Sequence, residues 1–326
     1  MSRWPQFEKQ LQQVDEDIGK LERLLAAPSI SEERRSQVRQ QIADMRRRQQ
    51  QITREVFSHL SAWDNVLLAR HADRPYTLDY VSAIFSGFVE LHGDRRFGDD
   101  PAVVAGFASL DGSTVAIVGH QKGRDVKERQ FRNFGSARPE GYRKTARVMK
   151  LAEKYRFPVI SFVDTPAAES RLDAEERGIA NAIAENMLLM SQLATPIVAV
   201  IVGEGGSGGA IGLAVADRVM MLEHAIYSVI PPESCAVILD TFGRDPRRGS
   251  EAAEALRLSA ATTRDLGAVD EVIPEPPGGA HRDPAAAAQN VKAAIVTTLA
   301  HLRTLPLDEL LAERYRKYRG IGHFRG

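Results

Sequence analysis

The sequence predicts an α/β protein with a mostly parallel sheet, preceded by a helical hairpin. Three observations predict this architecture. Short apolar segments of strand length alternate with amphipathic segments from about residue 76 onward. A charged, glycine-poor region precedes them. One apolar segment runs directly into five glycines within the seven residues 203–209, which is typical of a tight turn between a strand and a helix.

The N-terminal region, residues 4–62, is predicted to form the helical hairpin. Apolar residues recur at three- and four-residue steps in two runs, from Phe7 to Leu25 and from Val38 to Val56. Between the runs, Pro28 signals a stop, and Ser31 with two following glutamates predicts an N-cap and an acidic first turn. We therefore assign residues 1–75 to an N-terminal hairpin and interaction region, and residues 76–326 to a second domain.

Strand and helix signals alternate through this second domain. Asp111-Gly112 joins two strands, 102–110 and 114–119, in a predicted β-hairpin. Further strands are predicted at 159–163, 196–202, 218–222, 226–230 and 269–273, with helices at 140–155, 175–193, 210–216 and 250–258. Continuous apolar strands separated by helices indicate a sheet that is covered on both faces.

Composition and charge narrow the classes of function. The 326 residues include 43 Lys and Arg against 43 Asp and Glu, so bulk charge favours neither a nucleic-acid nor a membrane partner. Cys235 is the only cysteine, which excludes an internal disulfide and fits a reducing, cytoplasmic compartment. The N-terminus has no apolar signal core, and no apolar run is long enough for a transmembrane helix. The eight histidines show no metal-ligand spacing, so no metal site is predicted.

The glycine turn has several interpretations from the residues alone. A Walker A loop is rejected, because Gly209 and Ala210 stand where its lysine and Ser/Thr belong. Gly203, Gly205 and Gly208 satisfy the dinucleotide pattern G-x-G-x-x-G, with Glu223 at the distance of a ribose-binding acid. A tight turn without a ligand stays open. So does an oxyanion hole, since backbone amides at a helix start stabilise developing negative charge.

Longer motifs connect this turn to a family. In chain order they are RPYTLDYV (74–81), HGDR (92–95), GHQKGR (119–124), RNFG (132–135), PEGYRK (139–144), DTP (164–166), AEERG (174–178), GEGGSGGA (203–210), YSVIPPESCA (227–236) and IPEPPGGAHRDP (273–284). With these motifs the chain resembles, over nearly its whole length, the alpha subunits of bacterial acetyl-CoA carboxylase carboxyltransferase.

The resemblance implies a fold, an activity and partners. The implied fold of residues 76–326 is the crotonase-like (ClpP/crotonase) α/β spiral of ββα units, including C-terminal helices. The implied activity moves a carboxyl group from carboxybiotin, borne on a separate biotin carboxyl carrier protein, to acetyl-CoA. Malonyl-CoA for fatty acid biosynthesis is the product. The implied partner is a zinc-binding beta subunit in an α2β2 heterotetramer that shares the acyl-CoA, with no metal in this chain.

The resemblance also implies site residues. Gly208 and Gly209 are the expected catalytic residues, because their backbone N–H groups would stabilise an oxyanion on the biotin ureido group and their lack of Cβ would leave those amides accessible. Residues expected to line the biotin site are Gly205, Gly206, Thr165, Pro166 and Ala167. Lys122 and Arg124 follow a strand end; they are candidates for holding a carboxylate or phosphate, with salt bridges inside the protein as the alternative.

One segment departs from the pattern of that family. Where the family typically reads Gly-Ala-Tyr-Pro-Gly-Val-Gly, residues 167–173 read Ala-Ala-Glu-Ser-Arg-Leu-Asp, and Glu169 replaces an aromatic residue. A second hypothesis therefore stays open: a divergent paralogue in a specialised pathway that carboxylates, decarboxylates or enolises another acyl thioester, with or without biotin. A third hypothesis, a non-catalytic scaffold, is disfavoured because Gly208 and Gly209 are retained.

Overall fold

An eight-stranded mixed sheet forms the centre of the protein in the computed structural model, which describes residues 5–27 and 30–322. The strands are β1 (Ser86–Glu90), β2 (Val103–Leu110), β3 (Ser113–His120), β4 (Val159–Thr165), β5 (Ile197–Gly206), β6 (Arg218–Leu222), β7 (Ile226–Ser228) and β8 (Glu271–Ile273). Their order is β1-β2-β3-β4-β5-β6-β8, and β7 pairs with the end of β5. The first three strands pair antiparallel and the others pair parallel, as predicted for the centre of the sheet.

Fourteen α-helices accompany the sheet within the described residues. They are α1 (Lys9–Leu25), α2 (Glu32–Phe57), α3 (Ala62–Ala69), α4 (Thr77–Ile84), α5 (Val126–Phe131), α6 (Pro139–Tyr155), α7 (Leu172–Glu176), α8 (Ile179–Gln192), α9 (Ser207–Ala214), α10 (Pro232–Ile238), α11 (Gly249–Leu256), α12 (Ala260–Asp265), α13 (Pro284–Leu302) and α14 (Leu307–Arg319). Within residues 5–27 and 30–322, no helix has both the length and the apolar character of a membrane span.

The N-terminal hairpin forms as predicted. Helices α1 and α2 contact each other along a narrow seam whose buried residues include Leu11, Ile18 and Val38. The Ser31 hydroxyl accepts a hydrogen bond from the Arg34 N–H at 3.3 Å and caps α2. The predicted stop at Pro28 lies outside the described residues. The domain boundary at residue 75 stays a prediction.

The β2–β3 hairpin also follows the sequence. Asp111 and Gly112 adopt φ values of 47° and 85°, the left-handed pair that a two-residue hairpin turn requires. The resulting register places Leu110 opposite Ser113 and Val103 opposite His120.

The single helix predicted for residues 175–193 is wrong. Gly178 breaks it into α7 and α8, with a left-handed φ of 79° at the N-cap of α8. A glycine adopts this conformation without the steric penalty of a Cβ, so the chain changes direction there. Helix α8 then packs against α6 and α9, and α9 begins at the glycine turn.

A buried ion pair holds the last helix against the body of the protein. Arg314 lies 2.7 Å from the Asp217 carboxylate and donates to three backbone carbonyls. Removing one partner leaves the other charge buried without compensation. We expect Arg314→Leu to lower the free energy of unfolding in urea by about 3–5 kcal/mol. The control Arg316→Leu, at an exposed position of α14, should change it by less than about 0.5 kcal/mol. Equal losses in the two variants would contradict this role for the pair.

Candidate active site at the glycine turn

The glycine turn joins the end of β5 to the start of α9. Gly206 is the N-cap of α9 and brings no side chain to cap it, and Ser207, Gly208 and Gly209 begin the helix. Ser207 has a left-handed φ of 52° although it carries a side chain, and such strain tends to persist at functional sites. First-turn N–H groups have no partner within their own helix. The turn therefore presents amides at the positive end of the α9 dipole.

Close packing against neighbouring segments explains three of the predicted site glycines. There is no room for a Cβ on Gly205, which lies against β7, or on Gly206, which lies against Pro166. A Cβ on Gly209 would lie only 2.7 Å from the Ala167 carbonyl carbon. The absence of a Cβ at Gly209 thus allows the loop after β4 to pack against this residue. The sequence-based explanation was that the absent Cβ gives a ligand access to the amide, and the structure does not support that explanation for Gly209.

Gly208 is different, because a Cβ on this residue would fit without a clash. A Cβ at this position would meet no heavy atom closer than Ile183 Cδ1, at 3.7 Å. Gly208 and Ser207 line a cavity of about 600 Å³, whose other lining residues are Ile211, Tyr227, Ser228, Val229, Leu256, Arg257, Thr263, Leu266 and Ala268. The lining is mainly apolar, as expected of a small-molecule site with a few polar groups. Gly208 therefore has room for a Cβ and lines the cavity, and the accessibility of its amide to a ligand stays a prediction.

Buried side chains on neighbouring elements hold α9 in place. The Tyr142 hydroxyl donates to the Gly209 carbonyl at 3.2 Å, and the Ser161 hydroxyl donates to the Leu213 carbonyl at 2.6 Å. The Asn186 amide donates to a third carbonyl of the same helix. These positioning residues were not expected from the sequence: Tyr142 lies in the PEGYRK motif, which gives no signal for its role, and Ser161 and Asn186 lie outside the motifs.

The loop after β4 forms the other side of the turn. The Thr165 hydroxyl donates to the Ala167 carbonyl at 2.7 Å, while Pro166 and Ala167 are half-buried. These three residues lie beside Gly206 and Gly209, as the resemblance implies. The structure brings them together with the glycine turn; their contact with biotin stays a prediction.

The divergent part of this loop is held by its own polar contacts. Glu169 is buried, and its carboxylate accepts hydrogen bonds from the Asn133 amide at 2.7 Å and the Ser170 N–H at 2.8 Å, and pairs with the Arg171 guanidinium at 2.8 Å. Burial would raise the pKa of Glu169, but these hydrogen bonds lower it below its usual value. The new charge is thus compensated within the protein.

Asn133 belongs to a strained segment that the sequence did not predict. Asn133, Phe134 and Gly135 have φ values of 46°, 55° and 82°, three consecutive left-handed residues. The first two carry side chains, for which this conformation is unfavourable. The Asn133 amide also donates to the Ser136 carbonyl at 2.7 Å, so this side chain ties the strained segment to the loop beside the glycine turn.

Lys122 and Arg124 are engaged by protein groups. Lys122 Nζ lies 2.7 Å from Asp164 Oδ1 and 2.8 Å from Glu204 Oε2. Burial alone would lower the pKa of Lys122, but these two carboxylates raise it above its usual value, so the side chain is charged. Arg124 pairs with Asp79 and donates to two backbone carbonyls. The salt-bridge alternative therefore describes both residues in this structure.

Three potential metal ligands converge elsewhere in the described part of the chain. Glu8 Oε1 lies 2.9 Å from His281 Nε2, and the His71 and His281 rings are 4.2 Å apart. One ligand atom from each residue falls within 4.8 Å of the others, and all three residues are buried. Spacing in the sequence could not reveal this group, because its members come from three distant segments. That the chain holds no metal stays a prediction.

Comparison with known proteins places the chain in a family. Residues 5–322 match the model of the family described as acetyl co-enzyme A carboxylase carboxyltransferase-like. The chain belongs to this family. It is 47% identical over 319 residues to the acetyl-coenzyme A carboxylase carboxyl transferase subunit alpha of Geobacter metallireducens, covering 98% of this chain and 97% of that protein. The subunit of the same name from Geobacter sulfurreducens is 53% identical over 269 residues, or 82% of this chain and 83% of that one.

Solved structures of other members of the wider fold confirm the crotonase-like α/β architecture. A Pseudomonas malonate decarboxylase hetero-tetramer in complex with coenzyme A matches with a TM-score of 0.57 and 19% identity, covering 73% of this chain and 91% of that chain. Transcarboxylase 12S with methylmalonyl-coenzyme A matches with a TM-score of 0.53 and 20% identity, over 68% of this chain and 42% of that chain. At these identities the likeness shows the fold alone.

Family membership replaces the dinucleotide interpretation of the glycine turn. The structure agrees at two positions. Gly205 lies against β7, where a Cβ has no room, and the Glu223 carboxylate accepts a hydrogen bond from the Glu275 N–H at 3.1 Å. The pattern G-x-G-x-x-G arises here from strand packing and an open Gly208.

Proposed function

We propose that this chain is the alpha subunit of an acetyl-CoA carboxylase carboxyltransferase, which transfers a carboxyl group from carboxybiotin to acetyl-CoA and forms malonyl-CoA. Membership of the carboxyltransferase family, with named relatives matched over nearly the whole chain, carries the proposal. A biotin-linked carboxyl donor and an acyl-CoA substrate follow from the family. A location in the cytoplasm belongs to the same proposal and is supported by a lone cysteine, Cys235.

The amides of Gly208 and Gly209 are the proposed catalytic groups. The fit rests on Gly208, which lines the apolar cavity and where the protein leaves room for a Cβ. When bound, carboxybiotin would supply the carboxyl group and a ureido oxygen on which negative charge develops. Two N–H groups at the start of α9 can donate to such an oxygen without reorganising side chains. Tyr142, through its bond to the Gly209 carbonyl, keeps this turn in register.

The loop at Thr165, Pro166 and Ala167, with Gly205 and Gly206, is the proposed wall of the biotin site. Its backbone contacts set how closely the loop approaches the turn. Lys122 and Arg124 take no direct part in ligand binding in this proposal, because carboxylates and carbonyls of the protein already hold them.

A partner subunit completes the proposed enzyme. The named relatives are subunits, and a malonate decarboxylase of similar fold is a hetero-tetramer. We propose a zinc-binding beta subunit in an α2β2 assembly, with biotin delivered by a separate biotin carboxyl carrier protein. The exposed side chain of Val229, which lines the cavity, supports an interface there, and the apolar side chains of Ile238 and Leu239 at the end of α10 are exposed as well.

The first test is the reverse reaction with free biocytin. The chain, co-purified with its beta subunit, should carboxylate biocytin at the expense of malonyl-CoA, measured by the formation of acetyl-CoA. A well-folded complex that leaves malonyl-CoA untouched would contradict the proposal. Decarboxylation of malonyl-CoA that does not depend on biocytin would instead favour the divergent thioester enzyme.

The buried Glu169 is the reason to test the divergent thioester enzyme as a second candidate. This residue holds in place a loop whose sequence departs from the family. Replacing residues 167–173 by Gly-Ala-Tyr-Pro-Gly-Val-Gly should leave the biocytin rate within about threefold if the native loop already admits biotin, since fitted ligand contacts change rates by larger factors. A tenfold or larger gain in the same assay would show that the native loop excludes biotin and would support the alternative substrate.

A further inference from the structure

A buried ionic cluster lies directly behind the glycine turn. Its central cation is Lys122, whose Nζ contacts both Asp164 and Glu204. Glu204 also pairs with Arg70, at 2.6 Å, and Arg70 reaches Glu233 in α10. The cluster thus links the ends of two central strands with a helix near the cavity.

The cluster occupies an irregularity in strand pairing. β4 and β5 pair regularly up to Val163 and Ile201, but the next pair is Thr165 with Gly205. Between these two pairs, one residue of β4 lies opposite three residues of β5, so the ladder is interrupted there. Such bulges re-aim the chain that follows them. Here the chain that follows is Gly206 and the first turn of α9.

Side chains of the cluster hold this irregular stretch. The Asp164 carboxylate accepts the Glu204 N–H at 2.9 Å, which replaces a missing ladder bond. Gly203 has no room for a Cβ, because the Asp164 carboxylate lies against it. Lys122 binds both carboxylates and so fixes the end of β4 against the displaced end of β5.

The strained segment packs on the same lysine. A Cβ on Gly135 would lie 2.8 Å from Lys122 Cγ and 3.2 Å from the Asp164 carbonyl oxygen. Asn133 in turn holds Glu169 on the loop that lies against Gly209. Lys122 therefore contacts Gly135 of the strained segment and the two residues, Asp164 and Glu204, that directly precede Thr165 and Gly205.

The energetic cost of burying charged groups also indicates that the cluster has a positioning role. Burying charged groups is unfavourable, and an apolar replacement of a buried ion pair is often as stable or more so. The cluster contains two cations and three carboxylates within or at the edge of the core. Ion pairs and hydrogen bonds have preferred directions, so they can fix the offset between the ends of β4 and β5. Apolar contacts have no such preference and would not fix it.

We propose that Lys122 is a positioning residue of the carboxyltransferase site, which sets the placement of the Gly208 and Gly209 amides by clamping Asp164 and Glu204 across the bulge. This inference rests on the proposed function. In this role Lys122 fixes the geometry of the site and does not bind the ligand, which was the role considered from the sequence.

The test compares Lys122→Met and Lys122→Arg with two variants of a second buried lysine. Lys144 is fully buried and pairs with Asp99 at 2.7 Å, but it contacts neither strand end, so Lys144→Met and Lys144→Arg are matched controls. In the biocytin assay, kcat of the Lys122 variants should fall by about 10- to 100-fold, since a misplacement of about 1 Å can cost that much. KM for malonyl-CoA should change by less than about threefold, because uniform binding is retained.

The pH dependence of kcat distinguishes a positioning role of Lys122 from a simple loss of folded protein. Burial would raise the pKa of Glu204, and Lys122 and Arg70 hold it below its usual value. Without Lys122 the pKa of Glu204 rises, so kcat of Lys122→Met should fall off at a higher pH on the acid side than kcat of the native enzyme. The Lys144 variants should keep the native profile. Lys122→Arg, which retains a cation, should shift the acid limb less than Lys122→Met.

Hydrogen exchange keeps the inference testable even if the assay reports no activity for the native complex. Peptides covering residues 203–214 should exchange faster in Lys122→Met than in Lys144→Met. Native exchange there, or a kcat equal to that of the matched Lys144 variant after correction for folded fraction, would overturn the inference. A native complex without biocytin activity would refute the proposed function and leave the exchange result to decide the role of Lys122.

Discussion

Gly208→Val is expected to lower kcat of the carboxyltransferase reaction by about 100- to 1000-fold, the usual loss when one donor of an oxyanion hole is removed. The physical reason is steric and local. A Cβ on Gly208 would meet only Ile183 Cδ1, at 3.7 Å, so there is room for a side chain at this residue, and we expect the branched side chain of valine to crowd the adjoining amide. Because a Cβ fits at this position, we expect the variant to fold.

Gly208 is a better test of the oxyanion hole than Gly209. Valine at Gly209 would collide with the backbone of Ala167 and Ala168 and displace the loop, so lost activity would not identify the amide. Gly98→Val is a suitable control, because a Cβ there meets no atom within 4 Å and its φ is not in the left-handed range. Biocytin turnover and circular dichroism of both variants are the measurements. A Gly208→Val enzyme that keeps native turnover would remove Gly208 from the proposed hole.

The second large effect concerns the partner subunit. The chain purified alone is expected to turn over malonyl-CoA and biocytin at least about 100-fold more slowly than its complex with the beta subunit, because positioning of two substrates is worth that and more. Val229 lines the cavity at Gly208 and is exposed, and the apolar side chain of Ile238 in α10 is exposed as well. Exposed apolar patches of this kind mark interaction surfaces.

A single charge at this surface should break the complex. Ile238→Asp is expected to weaken binding of the beta subunit by at least tenfold in analytical gel filtration, since one buried unpaired charge costs more than 1.4 kcal/mol. Excess beta subunit should restore turnover. Leu188→Asp, at an exposed apolar position of α8, is the control and should leave binding unchanged. Full activity of the chain without a partner would contradict the heteromeric proposal.

Some elements of the fold could be predicted from the sequence alone. The helical hairpin and the β2–β3 hairpin follow from local signals: periodic apolar residues, the Ser31 cap and the Asp111-Gly112 turn. The break at Gly178 was missed because an isolated glycine within an amphipathic run does not reveal whether its φ is positive. Motifs in family order predicted the fold class and the family, which the comparisons confirm.

Some features of the candidate site could also be predicted from the sequence, and others could not. The sequence by itself determined that a strand runs into a glycine-rich helix start and that the loop at 167–173 departs from the family, whereas one site built from DTP and GEGGSGGA was implied by the resemblance and stays a prediction. Tertiary structure alone decided that Gly208 is open whereas Gly205, Gly206 and Gly209 are packed, and that Lys122 clamps two strand ends. The reason is physical: a motif specifies the residue types along the chain, but the space around a Cα and the partner of a charge depend on segments that only folding brings together.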